Sequence, residues 1–371
     1  MKHVLQTLFT ILLGGAVLVG CADATAPADP ATPAAAPAPV SSAPGGVWTV
    51  SPRTVPPPAE ASAELRGSIA AAPVPDAAAA AQFAPSTPEE WDAALAQRGA
   101  QAEGVIEGLS AALSVTIEPG DINGVNVYHV RPAEVSPDHA DHVFVHVHGG
   151  AYVFGGGDAS ASEAAVIAAA AGIPVVSIDY RMPPDHPFPA AVDDVVTVWE
   201  HLLTERSGSA IGIGGTSAGG GLALAATHRF IEEGLEVPGA IYAGTPWSDL
   251  TKTGDSLFTN EGIDRVLVGY DGLLSASARL YAGDHDLKDP LLSPIYGKFD
   301  GFPPTYLVTG TRDLFLSDVV RTHRKLREAG VVADLNVYEG MSHAGYLFVQ
   351  DAPEAGQVFA ELGAFLHQHL Q

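Results

Sequence analysis

Ile211-Gly212-Ile213-Gly214-Gly215-Thr216-Ser217-Ala218-Gly219-Gly220-Gly221 is the stretch on which the reading of this chain turns. Inside it, Gly215-Thr216-Ser217-Ala218-Gly219 has the pattern G-x-S-x-G. The physical reading is a buried strand, a sharp turn and a helix start, with the strained turn lifting the Ser217 hydroxyl clear of the sheet. Gly215 and Gly219 keep the flanks small where other backbone passes close. The helix that begins after Ser217 aims its positive end at the same spot, which favours developing negative charge. Three other readings compete. Gly212 and Gly214 open a dinucleotide fingerprint, but its third glycine would fall on Ser217. A phosphate loop needs Gly-Lys-Ser/Thr, and the stretch holds no lysine. A glycine-rich turn without chemistry fits as well, so the flanking chain decides.

Working outward, short β-favouring runs alternate with helix-length segments. His142 to His148, Val175 to Asp179, Ala210 to Gly214, Ala240 to Ala243, Tyr306 to Thr309 and Ala333 to Tyr338 read as strands. Ser160 to Ala171, Ala190 to Thr204, Ala218 to Glu233, Leu316 to Ala329 and Ala352 to Leu370 read as helices. Val115 to Glu118 and Val125 to Val130 flank Asn123-Gly124, a hairpin signal. Such alternation predicts a mostly parallel sheet covered on both faces. Upstream, Ala59 to Ala72 has helical spacing. Thr87-Pro88-Glu89-Glu90 starts a further helix with a capping box, running towards Ile106 and Leu109 with a break near Gly99. The segment from Pro246 to about Pro304, with helical character from Gly272 to Ala282, interrupts the alternation and is expected to shape a pocket.

A nucleophilic serine needs a base, and the base needs an orienting carboxylate. In an α/β-hydrolase the order along the chain is Ser, then acid, then His. Asp313 directly follows the Tyr306 to Thr309 strand, and His343 follows the last strand. Asp318 is the rival acid, but it falls within the next helix. His323, His367 and His369 are helical and compete poorly with His343. His148-Gly149-Gly150-Ala151 opens a glycine-rich loop, whose N–H groups with that of Ala218 would form an oxyanion hole. His142, His146 and His148 lack the spacing and carboxylate company of a metal site, so no metal and no cofactor are expected.

Composition narrows the partners. Of 371 residues 47% are apolar, and 18 Lys+Arg face 43 Asp+Glu, for a formal net charge of −25. This excludes the basic footprint of a nucleic-acid binder. Met1-Lys2-His3 followed by the apolar run Val4 to Val19 reads as a secretory signal over residues 1–20. It ends in Leu18-Val19-Gly20-Cys21, which resembles a bacterial lipobox with Cys21 as the lipidated residue. No other cysteine is present. Residues 21–46, rich in Ala and Pro, read as a tether to a membrane surface in the bacterial cell envelope.

Taken together, His148-Gly149-Gly150-Ala151, Gly215-Thr216-Ser217-Ala218-Gly219-Gly220, and Asp179-Tyr180-Arg181 running on to His186-Pro187-Phe188-Pro189-Ala190-Ala191 resemble the bacterial hormone-sensitive-lipase-like esterases. These are the GTSAGG branch of the α/β-hydrolase fold-3 group. The resemblance implies an eight-stranded, mostly parallel sheet over residues 47–371, with a helical cap from about 47–113 and part of 246–304. It implies Ser217 as nucleophile, Asp313 as acid and His343 as base, with Gly149, Gly150 and Ala151 in the oxyanion loop. Ala151 departs from the usual third glycine. The Arg181-Met182-Pro183-Pro184-Asp185 run is structural in that family. The implied substrate is a small acyl ester of short to medium chain. A lactonase or amidase with the same triad, and a non-catalytic acyl-ligand-binding surface lipoprotein, remain as alternatives.

Overall fold

The computed structural model describes residue 50 and residues 52–99, 104–135 and 137–371. The expected signal segment over residues 1–20, Cys21 and the expected tether lie outside the described residues. Eight strands build one sheet: β1 (Val115–Ile122), β2 (Val125–Pro132), β3 (Val143–Val147), β4 (Val175–Ile178), β5 (Ile211–Thr216), β6 (Ala240–Gly244), β7 (Thr305–Gly310) and β8 (Ala333–Tyr338). Their spatial order is β1-β2-β4-β3-β5-β6-β7-β8. The β1–β2 and β2–β4 pairs are antiparallel, and every later pair is parallel. The expected α/β-hydrolase sheet is therefore present. Asn123 and Gly124 turn the first hairpin with φ of 52° and 88°, the two positive values that a tight hairpin turn requires.

Strand residues divide between two apolar layers with period two, as side chains on a pleat must. Val143, Val145, Val147, Ile211 and Ile213 belong to one layer. Phe144, Tyr242, Tyr306 and Val308 belong to the other. The helices Ala190–Leu203, Ala218–Glu233 and Leu316–Glu328 cover the first face, and Ser162–Ala171 and Pro353–His369 cover the second. Gly212 and Gly214 have a steric role in this stack. A Cβ on Gly212 would lie 2.8 Å from the Phe144 ring, and one on Gly214 would lie 2.2 Å from the Tyr242 carbonyl oxygen.

Among the described residues the N-terminal region gives the helices Ala63–Ala71, Ala77–Gln82, Pro88–Gly99 and Val105–Leu113. The Thr87 capping box forms, with Glu90 N–H donating to Thr87 Oγ1 and Thr87 N–H donating to Glu90 Oε2. Gly104, at φ 74°, precedes Val105–Leu113, whose Val105 and Leu109 join the second apolar layer. By packing, that helix is part of the sheet's cover. Pro88–Gly99 instead sets Trp91 and Ala94 against Val153, Phe154 and Ala276. Among the described residues no helix is long and apolar enough to cross a membrane.

Candidate active site

The site forms where the parallel strands end. β5 closes at Thr216, and Ser217 takes φ 63° and ψ −123° before the helix Ala218–Glu233 starts. A positive φ on a non-glycine residue is strain, held here by hydrogen bonds on both sides of Ser217. Ser217 N–H donates to the Gly244 carbonyl at 2.8 Å, and the Ser217 carbonyl accepts from Trp247 N–H at 2.9 Å and Gly221 N–H at 3.0 Å. Gly215 and Gly219 share one neighbour: a Cβ on either would lie 1.9 Å from the Val147 carbonyl oxygen at the end of β3. No side chain fits there.

Asp313 and His343 arrive on the loops that follow β7 and β8. His343 Nε2 lies 2.9 Å from Ser217 Oγ, and His343 Nδ1 lies 3.1 Å from Asp313 Oδ1. Both side chains are buried, Asp313 completely. Asp313 Oδ1 also accepts the Phe315 N–H at 2.8 Å. Its Oδ2 accepts the hydroxyls of Thr309, at 2.7 Å, and Thr245. Phe315 packs edge-on against the His343 ring. The three side chains that the sequence placed in one constellation therefore meet. Asp318, the rival acid, lies in the helix Leu316–Glu328 and accepts from the Asp249 N–H at 3.1 Å.

The glycine-rich loop lies against the elbow, since a Cβ on Gly149 would sit 2.7 Å from the Thr216 carbonyl oxygen and 3.5 Å from Ser217 Cβ. Gly150, Ala151 and Tyr152 take φ of 116°, 55° and 63°. At Gly150 only glycine fits, because a Cβ would be 2.0 Å from the Phe154 carbonyl oxygen. Ala151 adopts the left-handed region that a small L-residue tolerates at a cost of about 1 kcal/mol. The substitution for glycine is thus accommodated. Among the described residues the N–H groups of Gly149, Gly150, Ala151 and Ala218 have no hydrogen-bond partner.

His148 supports this loop. Its Nδ1–H donates to the Gly149 carbonyl at 2.7 Å, and its ring stacks on Tyr180 at 4.0 Å. Burial pushes its pKa down to about 3, so the ring stays neutral. His146 lies between Ser177 Oγ at 2.7 Å and Glu163 Oε2 at 3.1 Å, while His142 faces His139. The structure does not bring His142, His146 and His148 to one point. Among the described residues no group of three metal-ligating side chains is arranged to hold an ion. Arg181 donates from its backbone N–H and its Nε to the buried Asp194 carboxylate, at 2.7 Å and 2.9 Å.

Several residues at the site have no signal in the sequence. Thr245, at φ 37°, places Oγ1 3.0 Å from His343 Nδ1 as well as on Asp313. Beneath the elbow, Glu163 accepts from the N–H and hydroxyl of Thr216 and from Tyr242. Asn260 Nδ2 donates to the Asp313 carbonyl at 2.8 Å. Each contact joins segments some fifty or more residues apart, where no local pattern marks it.

Residues 144–347 match the model of a family described as alpha/beta hydrolase fold, and the chain belongs to that family. It is 31% identical over 252 residues to an acetyl-hydrolase of Streptomyces hygroscopicus, covering 67% of this chain and 83% of that one. It is 30% identical over 253 residues to an esterase of Acinetobacter venetianus, covering 68% and 82%. Among solved structures, one esterase superposes with a TM-score of 0.85 at 52% identity, over 88% of this chain and 99% of that one. An esterase from the bacterial hormone-sensitive lipase family superposes with a TM-score of 0.68 at 30% identity, over 84% and 99%.

Proposed function

We propose that the protein is a serine carboxylic ester hydrolase in which Ser217, His343 and Asp313 act as nucleophile, base and orienting acid. The observation that carries this reading is the unbroken chain from Ser217 Oγ through His343 Nε2, at 2.9 Å, to Asp313 at 3.1 Å from Nδ1. His343 takes the Ser217 proton as Oγ bonds to the ester carbonyl carbon. The carbonyl oxygen becomes an oxyanion, received by the N–H groups of Gly149, Gly150 and Ala151 in the loop and by that of Ala218. Removing one such donor typically costs roughly 10²–10³ in rate. Collapse breaks the bond to the alkoxy oxygen, which leaves as the alcohol with the proton from His343. Water, deprotonated by His343, then attacks the acyl-Ser217 carbonyl and releases the acid. Asp313 holds the imidazole tautomer with Nδ1–H towards itself and stabilises the imidazolium.

Short to medium acyl chains are the substrates of this reading, and Pro88–Gly99 with Leu273–Ala282 forms the cap over the acyl pocket. Packing of Trp91 against Phe154 and of Ala276 against the same cluster supports that role. The cap extends to the helices that precede Pro88, as Leu65 packs beside Val349 and Ala352, while Val105–Leu113 packs with the sheet's cover. Lipidation at Cys21 would tether the enzyme to a membrane of the cell envelope. The motif Leu18-Val19-Gly20-Cys21 supports this, and a Cys21→Ala variant is expected to move activity from the membrane fraction to the soluble fraction.

A panel of nitrophenyl esters from acetyl to lauroyl, with one lactone and one anilide, tests the reaction and chain length together. Turnover is expected to peak among the shorter esters and to exceed that of lactone and anilide. A fluorophosphonate is expected to label Ser217, and Ser217→Ala to lose both adduct and turnover, by roughly a millionfold. Absence of an adduct on the folded native protein would favour the acyl-ligand-binding alternative.

A further inference from the structure

Asp264 is a completely buried carboxylate with no part in the proton transfers above. It lies in the excursion between β6 and β7, far in sequence from both loops it touches. Its Oδ2 accepts the Leu314 N–H at 2.8 Å and the His343 N–H at 3.2 Å. Its Oδ1 accepts the Val266 N–H at 2.8 Å and the Leu267 N–H at 3.2 Å. All four partners are donors, so the geometry suits an ionised carboxylate and leaves no acceptor among them for a carboxyl proton. Two neighbours repeat the tie: Asn260 Nδ2 donates to the carbonyls of Asp313 and Thr311, and Arg265 N–H donates to Ser342 Oγ.

We propose that Asp264 is a positioning residue, whose carboxylate pins the loop bearing Asp313 to the loop bearing His343 and so fixes the distance between acid and base. The inference rests on the triad reading above. Leu314 follows Asp313 directly, so holding its N–H fixes where the Asp313 carboxylate points. His343 is held by its own N–H, while its ring remains free to serve Ser217. The charge matters as well as the tie. Burial, and then the charge of Asp313, raise the Asp264 carboxyl above its ordinary value, a rise that His343 and the N–H donors limit. The titratable groups facing it are Asp313 and His343 across the loops and Arg265 on its own turn. An ionised Asp264 stabilises the imidazolium that His343 becomes.

The test uses the full chain with Asp264→Asn beside the native enzyme and Ser217→Ala, assayed on nitrophenyl butyrate. An asparagine keeps the shape but turns an N–H₂ donor against one pair of backbone N–H groups. The expected result is a folded variant by circular dichroism, with KM within about threefold and kcat reduced about 10- to 100-fold, the range for a misplaced catalytic group. The acid limb of its kcat/KM profile is expected to move to lower pH by about half a unit, because one negative charge has left the base. A folded variant with native kcat and an unmoved acid limb overturns the proposal, as does a change in KM alone. If Asp264→Asn does not fold, hydrogen exchange of the native enzyme decides. The Leu314 and His343 amides are expected to exchange as slowly as those of β7, and exchange at exposed-loop rates overturns the proposal. A native enzyme with neither turnover nor an adduct on Ser217 refutes the triad itself, which is a different result from an active enzyme indifferent to residue 264.

Discussion

Thr216→Val tests whether the polar cluster under the elbow supports the fold without taking part in the reaction. The Thr216 Oγ1 atom lies 2.5 Å from Glu163 Oε1, 2.8 Å from the Tyr346 hydroxyl and 3.0 Å from the Tyr242 hydroxyl. Valine fills the same volume, so no cavity opens and the loss is purely of hydrogen bonding. Glu163 keeps the Thr216 N–H at 3.2 Å, His146 Nε2 at 3.1 Å and Tyr242 at 3.1 Å, but loses its shortest donor. Tyr346 still has Tyr242 at 3.0 Å. A buried polar group left short of a partner costs about 1–3 kcal/mol, and the remaining donors place this case near 2 kcal/mol. At about 2–4 °C per kcal/mol for a domain of this order of size, the melting temperature should fall by roughly 4–8 °C. Ser217 Oγ and His343 Nε2 are untouched, so kcat at 25 °C should stay within about threefold of native. Thr216→Ser restores a hydroxyl and should recover most of the loss. Calorimetry and initial rates on the same preparations measure both quantities. A melting point unchanged by Thr216→Val, or a hundredfold loss of kcat in a folded variant, refutes the reasoning.

Two glycines should respond in opposite senses to the same methyl group. Gly219→Ala drives a Cβ to 1.9 Å from a backbone oxygen and should cost at least about 3 kcal/mol, the upper end for overpacking, with activity lost; urea unfolding measures it. Gly356→Ala, on an exposed face of the helix Pro353–His369 with nothing within 4 Å, should stabilise by about 0.5–1 kcal/mol in the same measurement. Asp318→Asn should give a pH-dependent gain. Burial and the charge of Asp249 hold the Asp318 carboxyl well above the usual carboxylate range, and its Oδ1 has no hydrogen-bond partner among the described residues. The folded state therefore binds this proton more tightly than the unfolded one. Its contribution is present below about pH 4 and declines as pH rises through the elevated value. The asparagine variant should match native stability near pH 4 and exceed it at pH 7, and urea midpoints at the two values decide.

The sheet was legible because its signals are local. Most parallel strands are short apolar runs, the edge strand β8 alternates apolar with polar residues, and the Asn123-Gly124 turn carries its own geometry. Ser217, Asp313 and His343 were legible for a related reason: each follows a strand, and parallel strands deliver their ends to one rim. The 3-10 helix Gly157–Ala161 is less visible: it takes up Ser160 and Ala161, the first two residues of the expected helix, before Ser162–Ala171. What the sequence hides is contact between distant segments. Nothing near Asp264 announces that its carboxylate meets the amide of His343, 79 residues on. The Thr216 of the motif reads as an arbitrary residue until Glu163 is found beneath it.

The shared neighbour of Gly215 and Gly219 bears on how this scaffold could be diversified. The last carbonyl of β3 leads straight into His148 and the loop of Gly149 and Gly150, so elbow and loop are pressed together at that peptide group and again at Gly149. They form one rigid chassis that random drift alters only by breaking it. New substrate ranges should therefore come from exchanging the helices and long excursion above it, and a library confined to those parts should retain a working reaction centre.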